Sequence, residues 1–293
     1  MPGAALRYDV NLSILFTELP LLERPAAAAA AGFTAVELWW PFDEPDPPEH
    51  ELDSLRRAIV DAGTRLVGLN FDAGNMAAGD RGLLSRPAES NRFRINIDAA
   101  VDFAESLGCT TLNALYGNVE PGVGRAVQRE LATENLVLAA RAAERIGATV
   151  VIEALNNYEN PRYPITSSRQ ALELVDYLRV VHQVRNVGFL ADLYHLARMG
   201  ESVQQLVEQH AARLGHVQIA DVPGRGQPGT GELDWDAVLG ALVRHGYSGY
   251  VGLEYKPTGP SADSFGWLPR ADRAAAPTTE LTTNNAAPIE ENV

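Results

Sequence analysis

Eight short apolar segments alternate with helical segments along this sequence, and no other feature constrains its fold as strongly. The segments are rich in β-branched residues and are bounded by glycine or polar residues, which is typical of buried strands. Alternating strands and helices indicate right-handed βαβ units and a parallel sheet. Eight such units predict an α/β protein with a closed (β/α)8 TIM barrel. The predicted strands are residues 8–16, 35–40, 66–71, 110–116, 149–155, 187–195, 214–221 and 250–256.

The length of the chain fits one domain of this kind. The chain has 293 residues, and an α/β barrel typically requires about 250. From about Ala271 the sequence has few large apolar residues and no periodicity, so it cannot support a packed core. We therefore predict a single barrel domain in residues 1–270 and a disordered tail in residues 271–293.

The charge of the chain limits its partners. A formal net charge of -14 and a pI near 4.9 argue against binding to nucleic acids or anionic membranes, which favour basic surfaces. No apolar run approaches the roughly 18 residues of a membrane span, and no signal peptide is recognisable. The single cysteine, Cys109, excludes an intrachain disulfide. We expect a cytoplasmic protein that acts on a small molecule, either as a monomer or as a homo-oligomer.

Four predicted strands carry an oxygen-bearing side chain near their C-terminal ends: Glu153, Asp192, Gln218 and Glu254. The active site of a barrel lies at this end of the strands, and alternation along each strand allows all four side chains to point into its mouth. Three close carboxylates repel one another unless a cation is present. Because the ligands are hard oxygens, the sequence predicts a divalent site for Mg²⁺ or Mn²⁺ rather than Zn²⁺. The alternative is that each acid caps a helix or forms a local ion pair.

Further polar residues near the predicted rim are candidates for binding the substrate. His195 lies three residues after Asp192, near the same rim, and could donate a hydrogen bond to a substrate oxygen. Arg225 and Lys256 are cations in rim loops and could meet a substrate carboxylate. Asn70 ends the third strand. The alternatives are a structural loop histidine, two solvated charges and an asparagine that satisfies the local backbone.

Several segments of the chain resemble the hydroxypyruvate isomerase family, which belongs to the superfamily of xylose isomerase and tagatose epimerase barrels. The resemblance extends over almost all of residues 8–268. The segments that carry it are AVELWWPF, VVIEALN, LADLYHLARMGE, HVQIADVPGRGQPGTGELDW and VGLEYKP.

This resemblance implies roles for the four residues at the strand ends. Glu153, Asp192, Gln218 and Glu254 match the metal ligands of the family, and Glu153 and Glu254 match its two acid/base residues. Many relatives in the superfamily have histidine where Gln218 stands, whereas hydroxypyruvate isomerases have glutamine. The implied reaction is the interconversion of hydroxypyruvate and 2-hydroxy-3-oxopropanoate (tartronate semialdehyde) through an enediolate, with proton transfer between the two glutamates.

Other functions remain open at this point. A 2-oxotetronate isomerase or a ketose 3-epimerase would use the same barrel and differ in the loops around the pocket. A non-catalytic sugar-acid binding protein is an alternative from a different class. An apurinic endonuclease shares the barrel, but it requires a histidine-rich zinc cluster and a basic face, which fit poorly with six histidines and a net charge of -14.

Overall fold

A computed structural model describes residues 6–274 of the protein, and all eight predicted strands are present in it. The strands are β1 (Arg7–Asn11), β2 (Ala35–Leu38), β3 (Arg65–Asn70), β4 (Thr111–Asn113), β5 (Thr149–Glu153), β6 (Val187–Asp192), β7 (Leu214–Ile219) and β8 (Tyr250–Leu253). The α-helices are α1 (Arg24–Ala30), α2 (Glu49–Asp61), α3 (Ser90–Leu107), α4 (Arg125–Glu144), α5 (Ser168–Val181), α6 (Leu193–Arg198), α7 (Val203–His210), α8 (Trp235–Arg244) and α9 (Arg270–Arg273). Within residues 6–274, no helix has the length and apolar character needed to cross a membrane.

The strands form one closed barrel in which each strand pairs in parallel with the next, and β8 pairs with β1. This confirms the predicted (β/α)8 architecture. The strand interiors are buried almost completely, as their apolar composition requires. The register places Asp192 of β6 beside Gln218 of β7, so that two of the predicted site residues are neighbours at one end of the barrel.

Several predicted strands end earlier than expected, among them β4 at Asn113 rather than at residue 116 and β8 at Leu253 rather than at residue 256. For two others, a local capping or turn interaction gives the reason. β1 ends at Asn11 rather than at residue 16, since the Asn11 side chain accepts a hydrogen bond from the Ser13 N–H and begins a turn. β6 ends at Asp192 rather than at residue 195, because Asp192 caps helix α6. Helix α1 begins at Arg24, which places Pro25 in the first turn, where its missing N–H costs nothing.

The predicted tail boundary at residue 271 lies too early. Arg273 belongs to α9 and donates hydrogen bonds to the carbonyl oxygens of Leu268, Phe265 and Ala31 at 2.8–3.0 Å. Its guanidinium also lies over the rings of Phe33 and Phe265. Arg273 therefore holds α9 against the barrel, and residues 275–293 lie outside the described part of the chain.

Candidate active site

A cavity of about 480 Å³ lies at the C-terminal ends of the strands. Most of the predicted site residues line it, namely Glu153, Glu254, His195, Arg225, Lys256 and Asn70. Asp192 and Gln218 do not line this cavity and are buried, with 1% and 2% of their surface exposed. A neighbouring cavity of about 530 Å³ is larger, but it contains none of the predicted residues, so we assign the chemistry to the first cavity.

Glu153 presents a buried carboxylate at the end of β5. Its Oε2 accepts a hydrogen bond from Asn113 Nδ2 at 2.8 Å, and the residue is 5% exposed. Burial, together with the nearby Asp192 carboxylate, raises the pKa of Glu153 to about 8. A carboxyl group with this pKa can exchange a proton near neutral pH, as a general acid or base must.

Asp192 and Gln218 each present an unpaired oxygen in the interior of the site. Asp192 Oδ1 accepts hydrogen bonds from the backbone N–H groups of Tyr194 and His195, whereas its Oδ2 accepts none. Gln218 Nε2 donates to Glu37 Oε1 at 2.7 Å, and its Oε1 is likewise unpaired. Buried oxygens are rarely left without a partner. Two such oxygens on adjacent strands suit a bound cation, so these residues fit a divalent metal ion.

Glu254 follows β8, and three donors hold its carboxylate. Asn11 Nδ2 and Trp39 Nε1 donate to Oε1 at 3.1 and 2.8 Å, and Arg225 Nη2 donates to Oε2 at 2.8 Å. Burial raises the pKa of Glu254 well above its ordinary value, although the charge of Arg225 opposes this shift. Arg225 is therefore not a solvated rim charge, because it forms a nearly buried ion pair with an acid of the cavity.

His195 is held as a neutral hydrogen-bond donor. Its Nδ1 lies 3.1 Å from the backbone nitrogen of Asn156. A backbone N–H can only donate, so Nδ1 must accept and the ring proton must be on Nε2. Burial lowers the pKa of His195 to about 4, which keeps the ring neutral near pH 7. Nε2 lies 3.5 Å from Asp192 Oδ2, so its N–H faces the acidic part of the site.

Two buried groups of acidic and histidine side chains within residues 6–274 are compact enough to hold a metal ion. One combines Glu153 and Asp192, both predicted ligands, with His195, and its ligand atoms lie within 4.8 Å of one another. Glu254 is not a member of this group. Arg225 Nη2 contacts both Glu254 Oε2, at 2.8 Å, and Asp192 Oδ2, at 3.6 Å. The Nε2–H tautomer of His195 suits hydrogen bonding to a substrate better than metal ligation. The other group is Asp9, Glu37 and His216.

Comparison with known proteins identifies the family of this chain. The family described as "Xylose isomerase-like TIM barrel" matches residues 25–271. The "Putative hydroxypyruvate isomerase" of Streptomyces coelicolor is 61% identical over 94% of this chain and 100% of its own length. The chain belongs to the hydroxypyruvate isomerase family. It is accordingly an enzyme of the isomerase class.

Two other similar proteins are not named as hydroxypyruvate isomerases. The 2-oxo-tetronate isomerase of Pectobacterium atrosepticum is 34% identical over 89% of this chain and 96% of its own. A crystal structure titled as an AP endonuclease of family 2 from Brucella melitensis is 36% identical, with a TM-score of 0.79, and the match covers 91% of this chain and 98% of that one. The fold of this isomerase is therefore shared by proteins whose names differ in substrate.

A buried polar network inside the barrel connects Glu37 with Glu254 through Asn11. Glu37 of β2 accepts hydrogen bonds from Asn11 Nδ2, Gln218 Nε2 and His216 Nε2 at 3.0, 2.7 and 2.7 Å. Asn11 also donates to Glu254, so the network connects the barrel interior with the cavity. Burial opposes protonation of His216, but Glu37, together with Asp9 and Glu153, outweighs this effect and raises the pKa of His216.

Glycine provides the space for the Glu37 carboxylate. A Cβ atom at Gly68 or Gly252 would lie 3.0 or 2.8 Å from a carboxylate oxygen of Glu37. Sequence reasoning missed Glu37, although a carboxylate within the apolar segment AVELWW was a usable signal. His216 is likewise buried in the barrel interior.

Two loop residues of the cavity were also missed. Arg81 precedes α3, and Glu159 follows β5. Glu159 accepts hydrogen bonds from the Tyr194 hydroxyl at 2.8 Å and from Asn156 Nδ2 at 3.0 Å, and it thereby steadies the residue that orients His195. No local sequence signal distinguishes either residue from an ordinary loop charge.

Proposed function

We propose that this isomerase interconverts hydroxypyruvate and 2-hydroxy-3-oxopropanoate by proton transfer between Glu153 and Glu254. The observation that carries the proposal is that both buried carboxylates line one cavity, together with the Nε2–H donor of His195. The name of the Streptomyces relative supports the choice of substrate, because that protein matches this chain along its whole length.

We further propose that Glu153, Asp192, Gln218 and Glu254 hold one divalent ion, Mg²⁺ or Mn²⁺. The unpaired oxygens of Asp192 and Gln218 support this assignment, and an all-oxygen donor set is the one that these hard cations prefer. The ion would supply Lewis-acid polarisation of the substrate carbonyl and would offset the charge that develops on its oxygens.

The residues of the chain carry the proton transfer. One glutamate removes a proton from C3 of hydroxypyruvate, and the electron pair of the broken C–H bond forms the C2–C3 double bond of an enediolate. As this bond forms, the electrons of the C2 carbonyl move to its oxygen. The other glutamate then delivers a proton to C2, the proton of the C3 hydroxyl passes to the C2 oxygen, and the carbonyl group re-forms at C3, so atoms and charge balance. In this proposal His195 Nε2–H donates a hydrogen bond to a substrate oxygen that becomes negative. Acid/base residues of this kind typically contribute about 10²–10⁴-fold to the rate.

Replacement of Asp192 by Asn should abolish tight metal binding. The substitution keeps an oxygen that can cap α6, but it replaces the unpaired Oδ2 with an amide nitrogen, which cannot bind a cation. After dialysis against Mn²⁺ and then buffer, we expect about one ion per chain in the wild type and almost none in the variant. The control is Asp72→Asn, which changes another buried carboxylate that pairs with Arg92. Equal metal content in Asp192→Asn and wild type would disprove the site.

Binding of the divalent ion to this site should strengthen as the pH rises. Because the pKa of Glu153 is about 8 without a metal, a proton must leave this group before the ion can bind below that pH. The affinity for Mg²⁺ should therefore increase by up to about tenfold per pH unit from pH 6 to 8 and then level off. Calorimetric titrations at several pH values would measure this slope, and an affinity independent of pH would contradict the role of Glu153.

Two alternative substrates can be tested in the same assay. The Pectobacterium relative supports 2-oxotetronate as the second candidate, and a neutral ketose would indicate an epimerase. The purified protein with Mg²⁺ or Mn²⁺ should convert hydroxypyruvate with the highest kcat/KM of the three. The endonuclease name of the Brucella structure has little support here, since the net charge of -14 disfavours a polyanionic substrate. A binding protein without catalysis would convert none of them.

A further inference from the structure

We infer that Arg81 recognises the carboxylate of the substrate and makes the site selective for 2-oxo acids over neutral ketoses. The inference rests on the proposed function and specifies how its substrate class is chosen. Arg81 lies in the loop between β3 and α3, and it lines the same cavity as Glu153, His195 and Glu254.

Arg81 is fixed in the cavity wall by neutral acceptors. Its Nε donates to Asn160 Oδ1 at 2.5 Å, and its Nη1 donates to the carbonyl oxygens of Met76 and Asp80 at 3.0 and 2.6 Å. These contacts come from two different loops, so the guanidinium is held in place before any substrate arrives. Nη2 takes part in none of these bonds, which leaves its two N–H donors for a ligand.

The charge of Arg81 is not neutralised by a direct partner. No carboxylate of residues 6–274 lies within 4.0 Å of its guanidinium, whereas other arginines near this end of the barrel are paired. Arg86 contacts Asp80 and Glu120, Arg92 contacts Asp72, and Arg225 contacts Glu254. Burial and the positive charge of Arg225 lower the pKa of Arg81, while the carboxylates of Glu159 and Asp80, which lie more than 4.0 Å away, raise it and offset this effect only in part. Arg81 is therefore a cation that a bound anion would stabilise.

The acidic residues of the cavity explain why an anionic substrate needs such a cation. Glu153, Glu159 and Glu254 all line the cavity and would repel a 2-oxo acid. Lys256 also lines it, but its side chain is exposed and is screened by solvent. A guanidinium that is partly buried and already oriented can bind a carboxylate through charge-assisted hydrogen bonds. A neutral ketose has no group that would use this charge.

Binding of two matched ligands to the Mg²⁺-loaded enzyme tests the inference. Glycerate resembles hydroxypyruvate and keeps its carboxylate, whereas dihydroxyacetone replaces that carboxylate with a neutral hydroxymethyl group. Arg81→Met should weaken glycerate binding by about 10- to 100-fold, because charge-assisted hydrogen bonds are lost. The Kd of dihydroxyacetone should change by less than about twofold, and Arg81→Lys should be intermediate for glycerate.

Arg86→Met is the matched control, because it changes an arginine of the same loop that does not line this cavity and should leave the glycerate Kd unchanged. If Arg81→Met weakens the binding of glycerate and of dihydroxyacetone equally, Arg81 only supports the loop and the inference is wrong. An unchanged glycerate Kd in the folded variant would also overturn the inference. Turnover of hydroxypyruvate by the wild type tests the proposed function separately. The ratio of the two Kd values tests Arg81 even if another 2-oxo acid proves to be the substrate.

Discussion

Replacing Glu254 or Glu153 with glutamine should lower kcat by at least about 100-fold. Glutamine keeps the size of the side chain and one oxygen that can bind a cation, but it cannot accept and release a proton near neutral pH. KM should change much less than kcat, because the lost interaction is needed mainly in the transition state. Steady-state assays with saturating Mg²⁺, together with metal analysis of each variant, would measure both effects.

The control for these variants is Glu201→Gln. Glu201 accepts hydrogen bonds from Ser168 at the start of α5 and does not line the cavity, so its amide should leave kcat nearly unchanged. If Glu153→Gln or Glu254→Gln binds metal normally and retains near-wild-type turnover, that glutamate is a structural ligand only. The two-glutamate mechanism would then be wrong.

Glu37→Ala should lower the free energy of unfolding by about 3–5 kcal/mol, the range expected when one partner of a buried ion pair is removed. The substitution leaves the donors of Asn11, Gln218 and His216 without their shared acceptor inside the barrel. The control is Glu49→Ala, which removes an exposed carboxylate that pairs with Arg56 and should cost less than about 1 kcal/mol. Urea unfolding of the metal-free proteins would measure both values.

Part of the decrease in the free energy of unfolding caused by Glu37→Ala should depend on pH. Glu37 raises the pKa of His216, so the pair stabilises the fold fully below the ordinary histidine pKa of about 6.5. This contribution should fade as the pH rises through the higher pKa of the folded state. A loss below about 1 kcal/mol at pH 6 would show that the network is not needed for stability.

The sequence predicted those features that arise within one segment. An apolar run indicates each strand. Glu153, Asp192 and Glu254 were recognised as site candidates because each is an acid at the end of such a run. The end of β6 was placed three residues too late, since apolar residues continue into α6 and only the capping role of Asp192 separates them. The apolar pattern alone does not show which hydrogen bond ends a strand.

Features that depend on distant segments could not be predicted in this way. Glu37 acquires its role from donors on β1 and β7 and from the space left by Gly68 and Gly252. Arg81 lies in a long loop, and only the folded chain brings it to the cavity of Glu153 and leaves its charge unpaired. Arg225 was predicted as a possible ligand for the substrate, but its ion pair with Glu254 requires the closed barrel.

Solvent isotope incorporation tests the proposed mechanism most directly. The wild-type enzyme with Mg²⁺ would convert hydroxypyruvate in D2O, and NMR would locate deuterium at early times. In the two-glutamate mechanism the proton taken from C3 stays on one residue, while the other residue delivers a proton that comes from solvent. We therefore predict that 2-hydroxy-3-oxopropanoate carries deuterium at C2 from the first turnover. Complete retention of the substrate hydrogen at C2 would indicate direct hydride transfer and would contradict the mechanism proposed for Glu153 and Glu254.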